Sequence, residues 1–201
     1  MEALKSGKSW FVPKPEGKLF SGFLLSLMLL LFRVPCVQAN DLNDNLEQRV
    51  KAAYLFKFCS YVEWPEKSFS AADSALNIAV LGSDGVANEL VQMALGRNIN
   101  GRAFLVKKLK GDEGANALNG VHVLFVARSN NKIADVLATA KGRAILTVTE
   151  TEGALSTGSM INFVVVDGKV RFEVAPKTAT QDLVLISSRL ISVAYKVASG
   201  Q

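Results

Sequence analysis

Apolar positions fall into three regimes along the chain. Residues 19–32 (LFSGFLLSLMLLLF) run without a charge; residues 46–62 crowd apolar side chains at helical spacing; and from Leu76 onward short apolar runs alternate with polar turns. In the second regime Val50, Tyr54, Phe58 and Tyr61 form one stripe, and Ala52, Leu55, Cys59 and Val62 form another. That spacing predicts a helix over 46–62 that is buried on more than one side. Residues 40–45 are polar and expected to fray, and Trp64-Pro65 is expected to end the helix.

The third regime reads as alternating strands and helices. Strands are expected at 76–81, closing on Gly82, and at 103–106, 121–127 and 144–148, with helices at 85–95 and 131–140. The run VHVLFVA at 121–127 is nearly continuous, as a parallel strand covered on both faces requires. This order predicts an open parallel sheet with right-handed crossovers. The pattern then changes. Residues 160–166 and 169–174 flank Asp167-Gly168, a hairpin signal. Leu183, Ile186, Leu190, Val193 and Val197 predict a closing helix over 179–197. The expected class is α/β: an open, mostly parallel Rossmann-like sheet with flanking helices, a C-terminal antiparallel hairpin and a closing helix.

The first regime has the three parts of an export signal. Lys5, Lys8, Lys14 and Lys18 precede the apolar run, Arg33 and Pro35 close it, and Val37-Gln38-Ala39 presents small residues for cleavage. Fourteen helical residues reach about 21 Å, short of a ~30 Å hydrocarbon core, so a cleaved signal is favoured over a retained anchor. Arg33-Val34-Pro35 is a poor lead-in for a lipid-bearing Cys36. The expectation is a signal peptide at 1–39, a single domain at 40–201, and a periplasmic location.

Cleavage changes the charge. The chain carries 23 basic and 18 acidic residues; removing the leader's five and two leaves 18 and 16, a net +2. The basic balance is partly a property of the leader, so nucleic-acid binding is not indicated. Cys59 is then the lone cysteine, and no intramolecular disulfide can form.

Catalytic constellations are missing from the sequence. His122 is the single histidine, set between Val121 and Val123, where a structural role is favoured. Without a second histidine or a cysteine cluster no zinc site of the usual kinds can be built, and no nucleophile elbow presents a serine. No enzyme, metal or cofactor is expected. Gly82-Ser83-Asp84-Gly85 follows the first strand and opens a helix, where backbone amides could hold an anion. Its spacing matches neither the dinucleotide fingerprint nor the P-loop, so a capped strand-to-helix turn is the plainer reading. Arg171, Glu173 and Arg189 read as a surface ion pair.

Three segments, at 53–65, 158–174 and 185–190, together resemble the YfiR family of periplasmic proteins. Ala53-Tyr54-Leu55, Phe58 and Tyr61-Val62-Glu63-Trp64-Pro65 are similar to its opening helix. Gly158, Ile161-Asn162-Phe163 and Val170-Arg171-Phe172-Glu173-Val174 resemble its late hairpin, and Leu185-Ile186-Ser187-Ser188-Arg189-Leu190 its closing segment. The likeness runs from about Val50 to Val197. Two departures stand out: Ala175 replaces an asparagine common in the family, and the family's disulfide-forming cysteines are absent. The resemblance implies a compact α/β domain, often a homodimer, that restrains a membrane-bound diguanylate cyclase by binding its periplasmic sensing domain. It also leaves room for other inner-membrane sensors, including histidine kinases.

Two surfaces follow. Residues 54–64 offer more apolar area than one helix side buries, so Tyr61, Trp64 and Phe69 are candidates for a partner-binding or dimer surface, with the core as the alternative. Turns at Gly82, Ser83, Asp84 and Gly85 and at Ser129, Asn130 and Asn131 would form the crevice of a small-ligand sensor.

Overall fold

The computed structural model describes residues 39–199, save 112 and 114. The expected signal peptide lies outside the described residues, apart from Ala39. The elements run α1 (Ala39–Phe58), β1 (Val62–Glu63), β2 (Leu76–Leu81), α2 (Asp84–Ala94), β3 (Asn98–Ile99), β4 (Arg102–Leu109), β5 (Val123–Val126) and α3 (Ile133–Ala140). They continue with β6 (Leu146–Thr149), β7 (Ile161–Val166), β8 (Lys169–Val174), α4 (Pro176–Gln181), β9 (Leu185–Ile186), α5 (Ser188–Ser192) and β10 (Lys196–Val197).

One sheet has the order β10-β8-β7-β6-β5-β2-β4-β3, and its five central strands, from β4 to β7, are parallel. β2, the first of them in sequence, lies between the second and the third. That is a doubly wound order whose direction reverses between β2 and β5, and open sheets place ligand crevices at such reversals. Hydrogen-bonded pairing of β7 with β8 is antiparallel, around the expected Asp167-Gly168 turn. The α/β class and the hairpin are therefore as the sequence predicts.

Alternation along the strands divides the core in two. Ile78, Val80, Phe125, Leu146 and Val148 pack on one face with Ala52, Leu55 and Phe58 of α1 and Val86 and Leu90 of α2. Ala79, Leu81, Leu124 and Val126 pack on the other with Leu118, Ala140 and Ile145. All four β5 positions are buried, which explains their unbroken hydrophobicity. Near the hairpin Phe58 stacks on Phe163 at 5.8 Å and meets Phe172 edge-on at 5.0 Å, joining α1 to β7 and β8.

Helix α1 starts earlier than expected and stops earlier too. Ser60 N–H donates to Lys57 O and Tyr61 N–H to Phe58 O, tightening the last turn, and Val62 then enters a two-stranded sheet with β9. The expected nineteen-residue closing helix is a correction. The segment breaks into α4, β9, α5 and β10. Leu183 adopts a left-handed φ of 64° and stops α4, while Val184, Leu185 and Ile186 favour extension and β9 pairs with β1. Ser187 then caps a new helix by accepting from Leu190 N–H. Of the five residues at helical spacing, Leu190 is buried, whereas Leu183, Val193 and Val197 are exposed. Arg171, Glu173 and Arg189 make no ion pair among the described residues.

Candidate functional site

Candidate residues collect at opposite ends of the parallel strands. Trp64 and Phe69 lie at the amino end, in the segment between β1 and β2. His122 stands one residue before β5 rather than within it, buried to 3 % exposure. Its Nδ1 accepts the Asn77 N–H at 3.1 Å, which places the ring proton on Nε2 for donation to Ser68 O at 3.0 Å. Phe69 stacks on the imidazole with centroids 4.3 Å apart, and Trp64 meets it edge-on. Trp64 Nε1 donates to the His122 carbonyl at 3.1 Å.

Arg102 completes this end. Its guanidinium lies 3.8 Å from the centre of the Phe69 ring, and Nη1 donates to Ala71 O and Ser74 O. Phe69 is thus held between an imidazole and a guanidinium, and the segment before β2 is pinned by both. Burial lowers the His122 pKa below its ordinary value; the Ser68 carbonyl opposes the shift and Arg102 adds to it. His122 is accordingly neutral near pH 7, with both ring nitrogens spent on backbone groups.

Tyr61 does not join this cluster through any described aromatic pair. Its ring faces Lys57 at 5.8 Å, and its carbonyl accepts from Ser187 N–H. Tyr61, Trp64 and Phe69 are all half-buried, so each keeps some area for solvent or a partner.

At the carboxyl end the structure does bring the two expected turns together. Ser129 Oγ donates to Gly82 O at 2.8 Å across the reversal between β2 and β5. Gly82 is required twice over: its φ is +85°, and a Cβ there would lie 2.6 Å from Ser129 Oγ. Ser83 caps α2 by accepting from Val86 N–H, and exposed Asp84 lies 3.2 Å from Lys108. Asn130 Oδ1 accepts the Lys132 N–H, as a loop residue. The space over Gly85 is filled from within: a Cβ there would lie 1.7 Å from Gln48 Oε1 of α1.

That filling belongs to a charged cluster the sequence did not reveal. Lys51 of α1, 4 % exposed, bonds to both Glu47 and Glu150, the latter just after β6. Glu150 also accepts the Arg128 N–H at 3.0 Å, and the Arg128 guanidinium lies 3.7 Å from Glu47. Lys51 interrupts an apolar run in the sequence, and its one local signal is Glu47 four residues earlier. Together these contacts fix the first half of α1 across the strand ends where a crevice would open.

Among the described residues no group of three or more His, Cys, Asp or Glu side chains could hold a metal ion. The chain is a doubly wound α/β domain whose ionisable side chains hold the fold together at one end and an aromatic surface at the other. A family profile described as YfiR/HmsC-like matches residues 48–195, and the chain belongs to that family. No curated protein matches it. Membership implies a periplasmic regulatory protein of cyclic di-GMP signalling, paired with a membrane signalling partner. No described helix is long and apolar enough to cross a membrane.

Proposed function

We propose that this protein is exported by a signal peptide at residues 1–39 and represses an inner-membrane diguanylate cyclase by binding its periplasmic domain. The family match over residues 48–195 carries this reading. The site chemistry agrees with it, because His122 is committed to backbone hydrogen bonds and Lys51 to buried carboxylates. A regulator requires only unequal affinity for two states of its partner, and a hundredfold restraint takes about 2.7 kcal/mol. The exposed parts of Tyr61, Trp64 and Phe69 suit part of that contact, since aromatic anchors carry much of an interface's energy. The ligand-sensor reading is less favoured because Gln48 occupies the space over Gly85.

Deleting the gene tests the proposal. Cyclic di-GMP and surface attachment should rise in the deletion strain and return to the parental level on complementation. Unchanged nucleotide with altered phosphotransfer by a neighbouring kinase would move the assignment to a histidine-kinase accessory protein.

A further inference from the structure

We propose that the outer edge of β4, with the groove between it and α2, docks an extended acidic segment of a protein partner by strand addition. This rests on the regulatory reading for the nature of the partner and adds the surface and its chemistry.

β3 pairs only with Arg102 and Ala103, whereas β4 continues to Leu109. Among the described residues, 104–109 therefore have β2 on one side and no strand on the other. Such an edge presents backbone donors and acceptors to any extended chain. Beside it lies an open groove of about 640 Å³ with apolar walls from α2 and β4. Leu95 is 66 % exposed and Leu105 is 55 % exposed, and Val91 adjoins them. Side-chain pockets next to an unpaired edge are what strand addition uses for specificity.

Charge selects the occupant. Arg97 borders the groove, and Lys107 and Lys108 follow Leu105 and Val106 along the strand. Among the described residues Asp84 is the carboxylate that pairs here, with Lys108. Lys107 Nζ donates to a carbonyl, Ala117 O, and Arg97 lies over the Phe56 ring, so both keep their positive charge unneutralised by any described carboxylate. Pairing β4 with a second β4 would place four lysines in one short ladder, and like charges across a ladder are destabilising. An acidic strand reverses that sign. Its carboxylates lie on one face and meet Lys107, while the alternate apolar residues lie on the other and reach the α2 groove.

The test uses the purified mature chain and a peptide of about ten residues alternating valine and glutamate. Two controls replace glutamate by lysine or N-methylate alternate amides. Fluorescence anisotropy should show saturable binding of the acidic peptide, at least about tenfold tighter than of either control. Hydrogen exchange should show new protection at residues 104–109. Lys107→Glu should abolish the preference for the acidic peptide. Equal or absent binding of all three peptides, or protection elsewhere, overturns the proposal. So does a concentration-dependent dimer of the chain alone that protects 104–109, which would assign the edge to a second copy. In cells, Lys107→Glu should raise cyclic di-GMP towards the deletion level. If it restrains output as the parent does, the groove assignment fails and the regulatory reading stands. If the deletion itself changes nothing, the regulatory reading fails and the peptide result still decides the groove.

Discussion

The two ends of the parallel sheet solve the same problem with opposite chemistry. At the carboxyl end, where doubly wound domains usually open a crevice, α1 lies across the strands and a buried lysine joins two carboxylates. At the amino end, aromatic rings and one neutral histidine pin the segment before β2, and the rings remain half-exposed. The charged end is sealed by charge neutrality within the chain and is costly to open. The aromatic end is stitched by bonds to backbone carbonyls and leaves area to offer. In a protein read as a regulator, this argues for looking to the aromatic end and the adjoining β4 edge for partners, and to the charged end for stability.

Breaking the sealed end should produce the largest effect. Lys51→Met leaves Glu150 buried beside Glu47 without the cation between them. A loss of about 3–5 kcal/mol is expected, with the melting temperature falling by about 10 °C or more. Adding Glu150→Gln should recover much of the loss in the same thermal melts, because the uncompensated charge is then gone. A single mutant as stable as the parent would mean the network does not hold α1.

Trp64→Ala comes next. It removes a half-buried ring and the donor to the His122 carbonyl, for about 2–3 kcal/mol by urea titration. Trp64→Phe should retain most of the packing. If it keeps the fold but loses the membrane partner in pull-down, Trp64 belongs to the interface. If it keeps both, its role is internal.

A pH titration sharpens the contrast further. The His122 pKa is lowered in the folded state, chiefly by burial. As pH falls below about 6.5 the unfolded chain takes up the proton first, so stability is full above that value and declines below it. Urea unfolding at pH 5.5 should give a lower stability than at pH 7.5. Since His122 is the single histidine, a His122→Gln variant should be flatter across this window. An equal slope in both would remove His122 as the cause.

The smallest effect is expected midway between the ends. Cys59 is fully buried, donates its S–H to Leu55 O at 3.2 Å, and has its pKa pushed up to about 12 by burial. The folded protein should resist iodoacetamide at pH 8 and react as soon as denaturant unfolds it, followed by mass spectrometry. Cys59→Ser should leave regulation and any dimer unchanged.

The fold was readable where periodicity and burial agree. β2, buried at five of six positions, and the β7–β8 hairpin announce themselves through apolar runs and Asp-Gly. The closing segment misled because Leu183, Ile186, Leu190, Val193 and Val197 mimic a helical repeat, and nothing local shows that β1 waits to pair with residues 185–186. The Ser187 cap was a local clue to the break. Of the candidate sites, the juxtaposition of Gly82 with Ser129 follows from topology alone. The Lys51–Glu150 contact joins residues far apart in sequence, and the Arg102–Phe69–His122 stack joins three separate segments, so neither leaves a periodic trace.

The small β1–β9 sheet has a kinetic consequence. It ties Val62 and Glu63 to Leu185 and Ile186, almost the full length of the domain apart. In a chain threaded across a membrane amino end first, β1 emerges early and stays without its partner until the tail arrives. Contacts this distant form late, after most of the loop-closure entropy has been spent. The two-stranded sheet therefore closes late, and a chain that ends short of residue 185 leaves Val62 and Glu63 without their strand partners.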